Sequence, residues 1–385
     1  MINKIFRSGL IIFTVIGLVA CGRNKTNHSE KAFVETISNI EREGDSQINI
    51  DAVFQLLENY PETMDFSFDA YKDYETNPDV HLPGWLSFAT SNDGKVRIYS
   101  IEMNGGVSNP NYTSYCHFIQ FRHNEKVFLK SVIEYFNSGF FVDGIFSVET
   151  ENQTYYLFRF TSGIFAQGSH YKQIIKAYQT DNNGHFNSKK LFKTKKENLD
   201  EIEISWDYDC IEQDIPSLRH EGCGDEIIYD SNDKKLFVPY IIAVEGGNAM
   251  TEGNLIYQWK GDHFEYTGIA PVKILETEKF RIQIDITNNG KYRYTSWSKG
   301  KRMPDKPDLI IENGIKECWC EPGIEDCNCN TTYDNGESAV LGERYIFEMG
   351  NYIYMYEDGW IKGGYVNELS VIKNGYKILT ERIVE

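Results

Sequence analysis

Four of the chain's eight cysteines fall in the stretch CWCEPGIEDCNC, residues 318–329. Thiols at that density either gather round a zinc ion or oxidise to disulfides. In a hairpin turning at Pro322-Gly323, Cys318 would face Cys329 and Cys320 would face Cys327. Both pairs would lie on one side of the ladder, because residues i and i+2 share a face. Trp319 then points to the other side. The same four sulfurs are near enough to surround a metal. However, only one residue separates the cysteines of each pair where zinc sites use at least two, which strains chelation from one strand. We expect stapled disulfides, no metal and no cofactor. Cys210 and Cys223 bracket IEQDIPSLRHEG and form a second, loop-closing candidate. Cys116, in SYCHFIQF, is left over as a buried small hydrophobe.

His117 and His123 flank the same strand-like run but stand an even number of positions apart, so they share a face with each other and not with Cys116. That separates the thiol from a base and makes a hydrogen-bonded or solvent-facing histidine the ordinary reading. DNNGHFN at 181 and DSND at 230 offer oxygen ligands without the spacing of a calcium loop, and both read as turns. The 57 acidic residues guarantee some carboxylate pair in any cleft, so a glycoside hydrolase pair is not distinguishable by abundance. No nucleophile elbow, zinc-protease helix, phosphate loop or dinucleotide fingerprint is present.

The elements that must carry these residues divide along the chain. Phe33, Ile37 and Ile40 recur at helical spacing, and Val53, Leu56, Leu57 and Tyr60 share a face before Pro61 stops the run, which predicts two short helices. From about Gly84 the pattern becomes short runs rich in Tyr and Phe, behind turn clusters at 92–94, 182–184, 233–234 and 288–290. Their spacing, with the matched runs around Gln120 and Gln258, predicts a mainly β chain. We expect short N-terminal helices and a repeat-built antiparallel β body, propeller-like or a large β-sandwich. Past 276 the rhythm loosens, then ends in a well-alternating run in which Tyr352, Tyr354 and Tyr356 share a face and Asn374-Gly375 makes a hairpin turn. The expected divisions are a leader at 1–21, a tether at 22–31, the helical segment and β body at 32–275, and a smaller C-terminal β domain at 276–385 holding the Cys-rich loop.

The leader, MINKIFRSGLIIFTVIGLVAC, places Lys4 and Arg7 before an apolar run from Leu10 to Ala20, the pattern of a secretory signal too short to span a bilayer comfortably. Leu18-Val19-Ala20-Cys21 resembles the lipobox of bacterial lipoproteins. The resemblance covers the leader alone and implies that Cys21 is lipidated and becomes the mature N-terminus, anchored to a membrane of the cell envelope and facing away from the cytoplasm. Export makes disulfides the default for the remaining cysteines. The formal net charge of −18 argues against nucleic acid as a partner. The expectation is a lipid-anchored binding or structural module with a glycan or a protein as its ligand class. An exported glycoside hydrolase and a protein-binding inhibitor or sensor are the alternatives.

Overall fold

The structure is a computed structural model. It describes residues 30–40, 42–43, 47–72, 80–103, 114–123, 126–131, 139–164, 170–181, 185–207, 226–244, 247–299, 306–320, 329, 339–361 and 364–384. The chain divides into two compact units, Met1–Ala166 with Ile174–Lys189, and Gln167–Gln173 with Lys190–Glu385.

Both expected helices are present in the first unit. Helix α1 spans 30–38 and buries Phe33, Val34 and Ile37 completely. Helix α2 (Ile50–Asn59) is capped by Asn49, whose side chain accepts the Ala52 N–H at 2.9 Å, and gives way to a 3-10 turn at Pro61–Asp65. Between the helices, β1 (Arg42–Glu43) pairs with β2 (Gln47–Ile48). Strands β3 (Leu86–Thr90), β4 (Val96–Glu102), β5 (Tyr115–His123) and β6 (Lys126–Ser131) form an antiparallel sheet in sequence order. Strands β7 (Phe141–Glu149), β8 (Thr154–Ile164), β9 (His170–Thr180) and β10 (Phe186–Ser188) form the next. One face of the β3–β6 sheet packs Tyr99, Ile101 and Phe118 against Phe33, Leu57 and Phe68, and the other packs Ile98 and Ile119 against Val142 and Phe158. Burial on both faces is why VRIYSI reads as a run without strict alternation.

Two polar side chains in this layer hold the helical segment in place. Arg97 donates to the carbonyls of Thr63 and Phe66 and to the Thr90 hydroxyl, and lies over the rings of Phe68 and Phe88. Gln120 donates to the Leu57 carbonyl at 3.2 Å and accepts from the hydroxyls of Thr63 and Tyr99, each at 2.9 Å. Its counterpart in the sequence pattern, Gln258, is partly exposed and donates to the Asp233 carbonyl at the tip of a hairpin.

The second unit begins with β11 (Phe192–Lys193), β12 (Asn198–Leu199), β13 (Glu201–Asp207), β14 (Ile228–Asp230), β15 (Lys235–Val244), β16 (Gly247–Trp259) and β17 (Phe264–Ile269). Six of these make a sheet ordered β12-β11-β17-β16-β15-β14, antiparallel except at β11–β17. An eight-strand antiparallel meander follows: β18 (Lys273–Glu276), β19 (Phe280–Ile286), β20 (Tyr292–Ser298), β21 (Leu309–Cys320), β22 (Val340–Met349), β23 (Tyr352–Ile361), β24 (Gly364–Lys373) and β25 (Tyr376–Arg382). It curls until its ends meet. The Val384 N–H just past β25 donates to the Glu276 carbonyl of β18 at 2.7 Å, and Lys279 pairs with Glu381. An eight-strand barrel has an interior just wide enough for side chains, and here Ile282, Ile284, Tyr292, Tyr294, Tyr345, Phe347 and Leu369 fill it.

The fold class is as the sequence implies: mainly β, antiparallel, with short helices near the start. Turns at 91–94, 231–234 and 287–290 each join antiparallel neighbours, with Gly94, Lys234 and Gly290 at positive φ. Residues 182–184 lie outside the described set, but Thr180 and Phe186 pair across them. These hairpins do not hold one rank within their sheets: β3–β4 opens its sheet, whereas β9–β10 closes its own. Turn chemistry marks a tight hairpin wherever it falls, so it fixes hairpins and not their rank. The segment 276–385 shares its compact unit with 190–275.

In the Cys-rich stretch the pairing of Cys318 with Cys329 expected from the sequence is present, while residues 321–328 lie outside the described residues. Cys318 and Cys320 end β21, whose ladder partner is β22: Cys318 stands opposite Glu343, and Cys320 opposite Val340. Cys318 and Cys329 form a disulfide with Cα atoms 5.0 Å apart. Cys320 is also disulfide-bonded.

Candidate ligand site at the barrel mouth

One end of the barrel is polar, and a backbone irregularity determines which β21 side chains reach it. Tyr292 pairs with Gly314 but Tyr294 with Ile311, so β21 carries one extra residue, with Asn313 at φ 65°. That bulge switches the inward face from odd to even positions, turning Gly314 and Lys316 inward and Ile315 outward. Gly314 is needed there, because a Cβ would run into the Phe347 ring.

Lys316 stands directly opposite Tyr345 on β22. Its ammonium lies 3.0 Å from Glu252 of β16 and 2.9 Å from Glu343 of β22. Glu343 is directly opposed in the ladder by Asp358 of β23, a like-charge pairing that would destabilise by itself. Lys273 of β18 relieves it, 2.6 Å from Glu343 and 3.8 Å from Asp358. Tyr292 donates to Glu252, while Tyr356 and Tyr365 donate to Asp358. Three carboxylates against two ammoniums leave the cluster one negative charge in excess.

The charges stabilise one another against burial. Desolvation alone pulls Lys316 toward neutrality, but Glu252 and Glu343 outweigh it and hold the ammonium above the ordinary lysine value. Desolvation pushes Glu343 up, yet Lys316 and Lys273 bring it below the usual carboxylate range. Burial, then the nearby carboxylates, drive the Tyr345 phenol well above its ordinary value, so it stays a neutral hydroxyl.

Of these groups, Glu252, Lys273, Glu343 and Tyr345 line a cavity of about 400 Å³, together with Pro271 and Val272. That size suits a small ligand. Tyr345 is fully buried, and its hydroxyl has no hydrogen-bond partner among the described residues; Asn367, opposite Asp358 on β24, has a buried Oδ1 in the same condition. Beyond Asp358, which Tyr365 hydrogen-bonds, Trp360 and Tyr365 face each other across β23 and β24, with ring centroids 5.7 Å apart and exposures of 60% and 54%. Behind them Trp319 lies on the opposite face, as its position between two cysteines implies, against Gly342 and Gly359. Either glycine's Cβ would collide with its surroundings there.

Sequence candidates end up elsewhere or at the margin. Cys318 flanks the mouth, two rungs beyond Lys316. Cys21, Cys210, Cys223 and Cys327 lie outside the described residues. Cys116 is a free, buried cysteine, and burial pushes its thiol up to about 11, the state of an inert side chain. His117 is 1% exposed, 3.0 Å from the Ser100 hydroxyl, and burial lowers its pKa to about 4. Asp93 serves its own turn, accepting from Ser91 and the Lys95 N–H. The charged mouth residues went unrecognised because they come from five strands, and no local spacing connects Glu252, Lys273, Lys316, Glu343 and Asp358. The one available trace was the Tyr352/Tyr354/Tyr356 alternation, whose continuation on the same face is Asp358 and Trp360.

No family model matches the chain, and no curated protein matches it. Among solved structures, it is similar to the Pseudomonas aeruginosa periplasmic gluconolactonase PpgL, at 8% identity over 79% of this chain and 72% of that one, with a TM-score of 0.24. It is also similar to Trypanosoma rangeli sialidase in complex with the inhibitor DANA, at 10% identity over 77% of this chain and 54% of that one, with a TM-score of 0.20. Scores this low carry no argument about ligand or chemistry.

Proposed function

We propose that this protein is a lipid-anchored binding module of a bacterial cell envelope and that the barrel mouth is its ligand seat. The observation that carries the reading is Tyr345: a fully buried hydroxyl without a partner among the described residues, on the wall of a cavity of about 400 Å³. An orphaned buried hydroxyl costs about 1–3 kcal/mol, which a ligand hydrogen bond would recover. The carboxylates favour holding a ligand over hydrolysing one. Glycoside hydrolysis needs a carboxyl that is protonated at neutral pH, whereas Glu343 is held ionised by two lysines and Glu252 is hydrogen-bonded by Lys316 and Tyr292. The leader supports the anchor, with Cys21 as the lipidated residue; the expected tether cannot reach 31, because Glu30 and Lys31 already belong to helix α1.

The test of the seat is a thermal-shift screen of the full chain against small polar solutes, since a ligand that binds the native state raises Tm by mass action. Tyr345→Phe keeps the ring and deletes the hydroxyl, and should weaken every hit. Hits that bind Tyr345→Phe as tightly as the natural chain would refute the seat. For the anchor, Cys21→Ala should move the protein to the soluble fraction. Retention on membranes after a high-salt wash would overturn that half.

A further inference from the structure

We infer that the ligand of the barrel mouth is an uncharged sugar ring, the end of a glycan, stacked on Trp360 and hydrogen-bonded within the mouth. This rests on the reading of the mouth as the ligand seat and goes beyond it in naming the ligand's chemistry.

Three features converge on that class. The first is the pairing of opposite charges at hydrogen-bond distance: Lys316 between Glu252 and Glu343 at 3.0 and 2.9 Å, and Lys273 on Glu343 at 2.6 Å. A hydroxyl both donates and accepts, so a vicinal diol complements a carboxylate beside an ammonium, one hydroxyl donating to the oxygen and its neighbour accepting from the nitrogen. A carboxylate or phosphate ligand would instead meet three anions against two cations, with no arginine among them. The positions a bound cation would take are filled by the two ammoniums.

The second feature is the pair of orphaned groups. Tyr345 Oη has a proton to give, and Asn367 Oδ1 has lone pairs to fill. Tyr345 lines the cavity, where a ligand hydroxyl can accept its proton. The third is the aromatic pair. Trp360 and Tyr365 keep 60% and 54% of their surface exposed, with rings tilted 60° to each other. Tyr365 is fixed by its hydrogen bond to Asp358, the same carboxylate that lies 3.8 Å from Lys273. An exposed tryptophan, connected to the cavity wall at Lys273 through Tyr365 and Asp358, presents an apolar ring face with hydrogen-bonding groups beside it. This is the mixed surface that a pyranose shows, with C–H groups on one face and hydroxyls round its edge.

The experiment is saturation-transfer NMR followed by titration calorimetry on the full chain in detergent micelles. One probe set is the methyl glycosides of glucose, galactose, mannose and N-acetylglucosamine; the other is glucuronate, glutamate and lysine. A neutral glycoside should bind, and its affinity should fall about tenfold or more in Trp360→Ala and severalfold in Tyr345→Phe. Trp360 is largely exposed, so its removal spares the fold. Charged probes that bind with sensitivity to Tyr345→Phe, while no glycoside binds, would overturn the sugar and leave the seat standing. Glycosides whose binding neither variant weakens would overturn both. Silence from the whole glycoside set would overturn the sugar.

Discussion

Acidification from pH 7 to pH 4 should destabilise the first unit by about 3 kcal/mol through one side chain, His117. The imidazole is 1% exposed, and burial lowers its pKa to about 4, partly offset by a hydrogen bond to the Phe140 backbone. The unfolded chain restores the ordinary value near 6.5. A depressed folded pKa on a base means that the folded state binds its proton more weakly, so this stability is fully present above pH 6.5 and is lost as pH falls toward 4. Below that both states are protonated and no more is lost. At about 1.4 kcal/mol per pH unit, a gap of roughly two and a half units gives about 3 kcal/mol. The assay is urea unfolding of the natural chain and of His117→Gln at several pH values, followed by tyrosine and tryptophan fluorescence. The variant should start lower at pH 7 by about 1 kcal/mol, because the 3.0 Å contact with Ser100 is gone. The difference should then close and reverse as pH falls, since carboxylates contribute alike to both chains and cancel. A difference that stays constant from pH 7 to pH 4 would mean that His117 is not a buried neutral imidazole. The assignment of this Cys–His run as structure would then fail with it.

Tyr345→Phe should raise the stability of the ligand-free protein by about 1 kcal/mol, because it deletes a buried hydroxyl without a partner among the described residues. Calorimetry showing a loss would mean that the hydroxyl is satisfied. Lys316→Met should cost about 2–3 kcal/mol at neutral pH, a value below that of a fully buried pair because Glu252 and Glu343 keep about a fifth of their surface. That deficit should shrink as acid protonates the two carboxylates, and a pH-independent loss would refute the bridging role. Gly342→Ala should cost about 2 kcal/mol or more and red-shift tryptophan emission, because the added methyl meets the Trp319 ring and the Asp358 carbonyl; an unchanged Tm would count against that packing. Cys318→Ser with Cys329→Ser should cost up to about 2.8 kcal/mol, from the entropy of closing a loop of eleven residues. The unreduced natural peptide should run four mass units below its reduced form if Cys320 pairs with Cys327.

Local chemistry determined much of this protein before any contact was known. Asn49 and Pro61 delimit a helix whose buried face is Val53, Leu56 and Leu57, since caps and period are properties of neighbours in sequence. Asn374-Gly375, with φ of 51° and 80°, turns β24 into β25 because few other residue pairs tolerate both angles. The closeness of Cys318 and Cys329 was also local, through the short loop between them. That β21 also pairs with β22, beyond that loop, was not local. The barrel mouth belongs wholly to tertiary structure. One extra residue at Asn313 decides that Lys316 faces inward, and only curling of the sheet brings β18 round to Asp358 and Glu343 with Lys273 between them. Attraction between charges depends on their separation in space and the water around them, and neither can be read from positions 64 or 85 residues apart in a chain.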